Sequence, residues 1–220
     1  MATIRRDLTG KAGEFLALHE SERPLLQPNA FDVGSARLLE ALGFKAIATT
    51  SGGLAATLGR LDGSVTREEA LAHGALLAAA VTIPVAADTE NGFADDPAGV
   101  AETVRLAAAT GLAGCSIEDF TGDEADPLYD LALAKERVAA AAEAARAGEH
   151  HVVLTARAEG LLHERRDLDD TIARLQAYQE AGADVLFAPG LRELDDIRAV
   201  VSSVDRPVSV LALPGCPPVA

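Results

Sequence analysis

Apolar residues along this chain fall into two rhythms, short unbroken runs and longer stretches with helical spacing. Three of the runs repeat one phrase: GFKAIATTS (43–51), GLAGCSIED (111–119) and GADVLFAPG (182–190). Each follows a helical stretch, opens on a glycine, passes through an apolar run and ends on polar or glycine residues. A glycine just past a helix supplies the left-handed cap that ends it. An apolar run without alternation marks a strand buried on both faces, as in a parallel sheet. Extending the pattern predicts strands near 25–30, 46–51, 84–90, 114–119, 152–158, 184–188 and 207–212, with helices between them. One helix starts at Asp96-Pro97, with Asp as N-cap and Pro at the first helical position, and stops at Gly111. Another opens on the capping box Thr66-x-x-Glu69. A third covers about 168–181, with Ile172, Leu175 and Tyr178 at helical spacing.

Repeated βα units fit either an open doubly wound sheet or a (β/α)8 TIM-type barrel. No G-x-G-x-x-G follows the first strand, which weighs against a nucleotide-binding sheet. Polar and acidic residues gather at the C-terminal ends of several strands, where barrel active sites sit. The sequence therefore predicts a single α/β-barrel domain over residues 1–220. Only seven strands are visible, so a barrel lacking its last βα unit is expected. The natural protein would then continue by roughly 40–60 residues, since an open barrel leaves unpaired strand edges that invite aggregation.

Composition narrows the function. The 220 residues carry a formal net charge of −15. That weighs against a nucleic-acid surface or an anionic membrane as partner. It leaves an anionic substrate open, because a bound metal inverts the local field. Cys115 and Cys216 form no pair and no metal-ligand spacing, which fits a reducing cytoplasm and two incidental thiols. The N-terminal stretch has charges throughout and no signal-peptide core, and the apolar run near 75–87 is too short to span a bilayer.

The chemistry concentrates in PVAADTENGF (84–93) and its counterparts at other strand ends. Strand period two puts Asp88 and Glu90 on one face, toward the barrel interior. Glu118 and Asp119 end the following strand. Carboxylates gathered without cations repel one another and hold protons. A divalent cation removes that conflict, and oxygen ligands without a His/Cys cluster suit Mg2+ or Mn2+. The alternative is a set of solvated acids capping the next helices. Arg157, ending the fifth strand in LTARAEG, either binds a substrate carboxylate or forms a structural ion pair. Ser51-Gly52-Gly53 either cradles an anion with its N–H groups or makes a plain tight turn. Asp62, between Gly59 and Gly63, sits either in a hinged lid or in a solvated loop. His19, His73, His150, His151 and His163 show no triad or ligand spacing, although His163, in the loop after the fifth strand, either stays outside the mouth or reaches it.

Four stretches taken together, PNAFDVGSARLLEALGFKAIATTSGGLAATLG, VAADTENGF, GCSIED and LTARAE, resemble the isocitrate lyase/phosphoenolpyruvate mutase (phosphonomutase) superfamily over roughly residues 11–215, as a divergent subgroup. The resemblance implies a Mg2+-dependent barrel (Mn2+ the alternative) acting on α-oxo acids or related small carboxylates. The implied reaction cleaves or forms a C–C bond through an enolate, as in isocitrate and methylisocitrate lyases. P–C chemistry of the phosphonomutase or phosphonopyruvate hydrolase type, decarboxylation, and oxo-acid binding without turnover stand behind it. Carried over residue by residue, the metal set is Asp88, Glu90 and Glu118. Ser51, Gly52, Gly53 and Arg157 hold the substrate, and Arg157, Asp62 and Glu90 serve catalysis. Glu90 stands where the family usually has Asp. The loop after Glu118 reads FTGDEADPLYD and lacks the Lys-x-Cys-Gly-His of the lyases and the Lys/Asn of the phosphonomutases. The lyase glutamate after the sixth strand is replaced near APG (188–190). The resemblance further implies a homo-oligomer for the full-length protein.

Overall fold

The computed structural model describes residues 10–147, 149–163 and 167–212. Cys216 lies outside them. The order is α1 (Gly10–His19), α2 (Val33–Ala41), β1 (Ile47–Ala48), α3 (Ser51–Thr57), α4 (Arg67–Ala80), β2 (Val85–Asp88), α5 (Pro97–Ala108), β3 (Gly114–Glu118), α6 (Leu131–Ala144), β4 (Val153–Arg157), α7 (Leu168–Ala181), β5 (Val185–Phe187), α8 (Leu194–Ser202) and β6 (Val208–Ser209). The six strands pair in parallel and in chain order, β1-β2-β3-β4-β5-β6, as a half-barrel with helices on its outer side. No helix among the described residues is long and apolar enough to cross a membrane.

Local signals set these elements. Asp96 caps α5 by accepting from the Ala98 and Gly99 N–H groups, with Pro97 at the first helical position. Thr66 and Glu69 complete the capping box of α4. Helix α7 ends on Gly182 at φ 110°, in the left-handed region that a residue with a Cβ rarely adopts. The first predicted strand, 25–30, shrinks to a single parallel bridge between Asn29 and Ala48. Pro24 and Pro28 have no N–H to give a ladder, so only the Pro28 carbonyl and the Ala30 N–H engage Ala48. The predicted strands 46–51, 84–90 and 207–212 shorten to two, four and two residues.

The two faces of the sheet carry different chemistry. Outward residues Ala87, Cys115, Ile117, Leu154, Ala156 and Leu186 join the main core with the helices, including Val100, Val104, Leu175 and Tyr178. Burial there pushes the Cys115 thiol up to about 12, so it is an inert part of the core. The inner face stacks in layers. At the N-terminal end, Ala46, Ala86, Ala113, Val153 and Val185 close around Phe15 of α1, which plugs that end. Gly114 is required there, since a Cβ would lie 2.8 Å from the Phe15 ring and 2.9 Å from the Val153 carbonyl. One pleat above Ala86 and Val153, Asp88, Ser116 and Thr155 stand in register, and at the C-terminal end Glu118, Arg157 and Phe187 do. The inner face thus runs from apolar to charged along the strands.

Candidate active site

Asp88 ends β2 and is fixed on three sides. Its own N–H donates to Thr49 Oγ1 (2.8 Å). One carboxylate oxygen accepts from the Ser51 N–H (3.1 Å), and the other accepts from the Glu90 N–H and from Arg157 Nη1, both at 3.2 Å. Arg157 projects inward from the end of β4 as the shared cation. Its Nη1 lies 3.3 Å from Glu118, and its Nε and Nη2 reach Glu159 at 2.8 Å. The guanidinium also stands 5.1 Å from the centroid of the Phe187 ring.

One guanidinium therefore faces three carboxylates, Asp88, Glu118 and Glu159, all largely withdrawn from water. Burial alone would lower the Arg157 pKa; the three acids reverse this and raise it. The acids remain undercompensated. Glu118 is pushed well above the usual carboxylate range by burial and then by the charges of Glu159, Asp88 and Glu90, against the pull of Arg157. Glu159 is raised by burial and by Asp119 and Asp88, again against Arg157. Glu90 rises to about 7, through burial, then Asp88 and Asp62. The site is short of positive charge.

Glu90 arrives by a different route from the expected one. Strand β2 stops at Asp88, so period two does not extend to Glu90. A turn closes from Thr89 to Gly92, with the Gly92 N–H on the Thr89 carbonyl (2.8 Å) and Glu90 at φ 47°. The Glu90 carbonyl accepts from the Glu118 N–H, which locks the turn onto β3. Asp119 does not join the cluster. It faces the helices, 2% exposed, and accepts from the Glu159 N–H, Arg174 and the Tyr178 hydroxyl.

Ser51-Gly52-Gly53 is the first turn of α3 rather than a free turn after a strand. Thr50 caps it by accepting from the Gly53 N–H, while Asp88 takes the Ser51 N–H. Asp62 is exposed, yet its loop folds against this turn: a Cβ on Gly52 would lie 3.0 Å from the Asp62 carboxylate. Asp62, Gly52, Ser51, Asp88, Glu90, Glu118 and Arg157 are thus brought into one neighbourhood. His163 is not part of it; its ring stacks on Phe120 (4.0 Å between centroids) and its Nδ1 lies 3.1 Å from Glu124. The loop after β3 folds back through an antiparallel bridge between Phe120 and Leu128.

Glu159 is the member that the sequence reading missed. It stands two residues after Arg157, the same spacing that singled out Asp88 and Glu90. Among the described residues, no three His, Cys, Asp or Glu side chains converge tightly enough to enclose a metal by themselves. The oxygen-only donors and the charge deficit nevertheless fit a hard divalent cation held by one or two carboxylates, with water and substrate completing its shell.

Comparisons with known proteins identify the family. The family model described as phosphoenolpyruvate phosphomutase matches residues 15–220. The 2-methylisocitrate lyase of Escherichia coli (strain K12) is 32% identical over 207 residues, covering 90% of this chain and 68% of its own. A crystal structure from Burkholderia cenocepacia J2315, for which a lyase or mutase role is suggested, is 52% identical with a TM-score of 0.88, covering 91% of this chain and 72% of its own. A phosphonopyruvate hydrolase solved with oxalate and Mg2+ is 26% identical with a TM-score of 0.84, covering 92% and 72%. The chain belongs to the isocitrate lyase/phosphoenolpyruvate mutase superfamily, whose members similar to it include lyases and mutases.

Proposed function

We propose that this chain is a Mg2+-dependent lyase on a single (β/α)8-type domain, cleaving or forming a C–C bond next to the oxo group of a small α-oxo acid. The observation that carries the reading is the undercompensated cluster of Asp88, Glu118 and Glu159 around Arg157, set beside Glu90 and the Ser51–Gly53 turn. Asp88 is the candidate direct ligand, with Glu90 and Glu118 acting through water; Mn2+ would suit the same oxygens. The ion, when bound, supplies positive charge opposite the oxo and carboxylate oxygens of the substrate.

The chain's own residues account for the rest. The substrate carboxylate lies toward Ser51, Gly52 and Gly53, and Arg157 donates hydrogen bonds to the oxo side. As the C–C bond breaks, the hydroxyl on the departing carbon gives up its proton and becomes a carbonyl, while the bond's electron pair moves onto the carbon next to the retained oxo or carboxylate group, whose oxygen takes up the negative charge. A fixed guanidinium stabilises that charge more than it stabilises the ground state. Asp62 covers the turn from its loop, and Glu90 is placed to take or return a proton. A cytoplasmic enzyme without nucleic-acid or membrane partners accords with the strong negative charge and the cysteine poverty, and a homo-oligomer of the full-length protein rests on the family resemblance.

One observation favours a second reading. The loop after β3 supplies Thr121, Asp123, Glu124 and Asp126 but no Lys, Cys or His. Decarboxylation of an oxo acid, or cleavage of a P–C bond, still forms an enolate but needs no deprotonation of a hydroxyl on the departing fragment. A relative from Rhodopseudomonas palustris (strain BisA53), 30% identical, is an oxaloacetate decarboxylase. The test is turnover of methylisocitrate, isocitrate, oxaloacetate and phosphonopyruvate with and without Mg2+, in wild type and Asp88→Ala. Mg2+-dependent glyoxylate or pyruvate from the first two supports the lyase. CO2 or phosphate from the others supports the second reading. Binding of oxalate with no product from any of them leaves a binding barrel, and equal activity in Asp88→Ala removes the metal assignment.

A further inference from the structure

The segment that delivers Glu90 is held by a residue that the active-site reading does not use. Arg137 lies on α6, 1% exposed, and none of its described contacts is with a carboxylate oxygen. Its Nη1 donates to the carbonyls of Ala94 (2.6 Å) and Asp95 (2.5 Å), and its Nη2 donates to the carbonyl of Asn91. The guanidinium carbon sits 3.9 Å over the Tyr129 ring. The Tyr129 hydroxyl donates to Asp95 Oδ1 (2.5 Å) and accepts from Asn91 Nδ2 (3.2 Å). Thr103 takes the Gly92 carbonyl (2.6 Å), and the Glu118 N–H takes that of Glu90. Five of the six carbonyls from Glu90 to Asp95 are thereby engaged, three of them by Arg137.

Two non-glycine residues in this segment, Glu90 (φ 47°) and Phe93 (φ 54°), occupy the left-handed region. Such conformations persist where the surroundings over-determine them, and they gather at functional sites. Burying a guanidinium to bind backbone carbonyls is a costly way to close an ordinary turn, because the charge loses its water. The fork spans three carbonyls at once, which a single neutral donor could not do. We propose that Arg137 is a positioning residue for the active site, fixing the strained Glu90–Asp95 turn so that Glu90 faces Asp88 and Asp62. The inference rests on the reading that Glu90 belongs to a Mg2+ and oxo-acid site.

The test is a graded series, Arg137→Lys, Arg137→Met and Tyr129→Phe, the last leaving the ring under the guanidinium. Each is compared with wild type for unfolding midpoint, Mg2+ and oxalate affinity by calorimetry, and amide exchange at Gly92 and Glu118. The Leu154 amide, bonded to Asp184 far from the turn, is the control. The expected result is faster exchange at Gly92 and Glu118 with Leu154 unchanged. Mg2+ affinity should weaken by about tenfold or more in Arg137→Met, the range for residues that orient ligands from behind, and by less in Arg137→Lys. Should both arginine variants fail to fold, Tyr129→Phe carries the same expectation at smaller size. Wild-type affinity and wild-type exchange at Gly92 and Glu118 in folded variants would overturn the inference while the active-site reading stands. A wild-type protein that binds neither Mg2+ nor oxalate removes the reading itself, and this inference with it.

Discussion

Glu118 and Asp119 are consecutive residues at the end of β3, and they lead opposite lives. Glu118 points inward and shares one guanidinium with Asp88 and Glu159. Asp119 points outward, and its two oxygens accept from three donors: the Glu159 N–H (2.8 Å), Arg174 Nη1 (3.1 Å) and the Tyr178 hydroxyl (2.5 Å). Both acids are withdrawn from water and both have an arginine, so burial and ion pairing do not separate them. Saturation does. Asp119 ties β3 to β4 and α7 with its hydrogen-bonding capacity filled. Glu118 belongs to a group with too little positive charge, and burial with neighbouring acids raises its pKa. A saturated buried acid is part of the frame, whereas an undersupplied cluster is ready for a cation or a reaction.

Substitutions at these two positions can break that comparison. Asp119→Ala is expected to cost the most, about 3–5 kcal/mol of unfolding free energy. It leaves a buried tyrosine hydroxyl and a backbone N–H without their Asp119 acceptor and takes one of two carboxylates from the Arg174 guanidinium, which keeps Asp170 and the Tyr129 carbonyl. Urea unfolding of the metal-free protein measures it. Glu118→Gln should cost less than about 1 kcal/mol or stabilise slightly, because it removes one of three competing negative charges. The same variant should bind Mg2+ about tenfold more weakly. If Glu118→Gln destabilised as strongly as Asp119→Ala, the distinction between frame and site would collapse.

The frame was easier to read from the sequence than the site. Residues such as Val85, Ile117, Leu154 and Leu186 are buried under helices on one side of a parallel sheet, and apolar runs report that directly. Boundaries were lost where tertiary contacts outvote local pattern. Ser51-Gly52-Gly53 looks like a turn, yet Thr50 and Asp88 take its N–H groups and it starts a helix. Strand alternation predicts Glu90 at the mouth, but the strand ends at Asp88 and a left-handed turn brings Glu90 there. Arg137 was invisible. In LALAKERVAAAAEA it resembles its charged neighbours Lys135 and Glu136, and its acceptors lie more than forty residues earlier in the chain. Glu159 could have been found, because it repeats the two-residue spacing that flagged the other acids.

The smallest expected effect sets the two ends of the half-barrel against each other. At the mouth, Glu90 has its carboxyl pKa raised from 4.5 to about 7, chiefly by burial and then by Asp88. The folded state therefore binds this proton more tightly than the unfolded chain. Its contribution is fully present below about pH 4.5 and is lost as pH rises through 7. At the plugged end, His19 sits edge-on to Phe15, 4.6 Å between centroids, and burial lowers its pKa to about 4. There the unfolded chain binds the proton more tightly, so stability is present above the ordinary value of 6.5 and is lost as pH falls toward 4. Discounted for partial exposure, each group is worth about 1–2 kcal/mol across its window. Glu90→Gln should flatten the metal-free stability profile between about pH 5 and 7, and His19→Gln should shrink the acid-side loss between about pH 6.5 and 4. Saturating Mg2+ should erase the Glu90 difference and leave the His19 difference intact, because only the mouth has a charge deficit for a cation to fill. Denaturation midpoints measured across pH, with and without Mg2+, decide it. A Mg2+ effect of equal size on both variants would show that the ion acts on the whole fold and not on the site around Asp88.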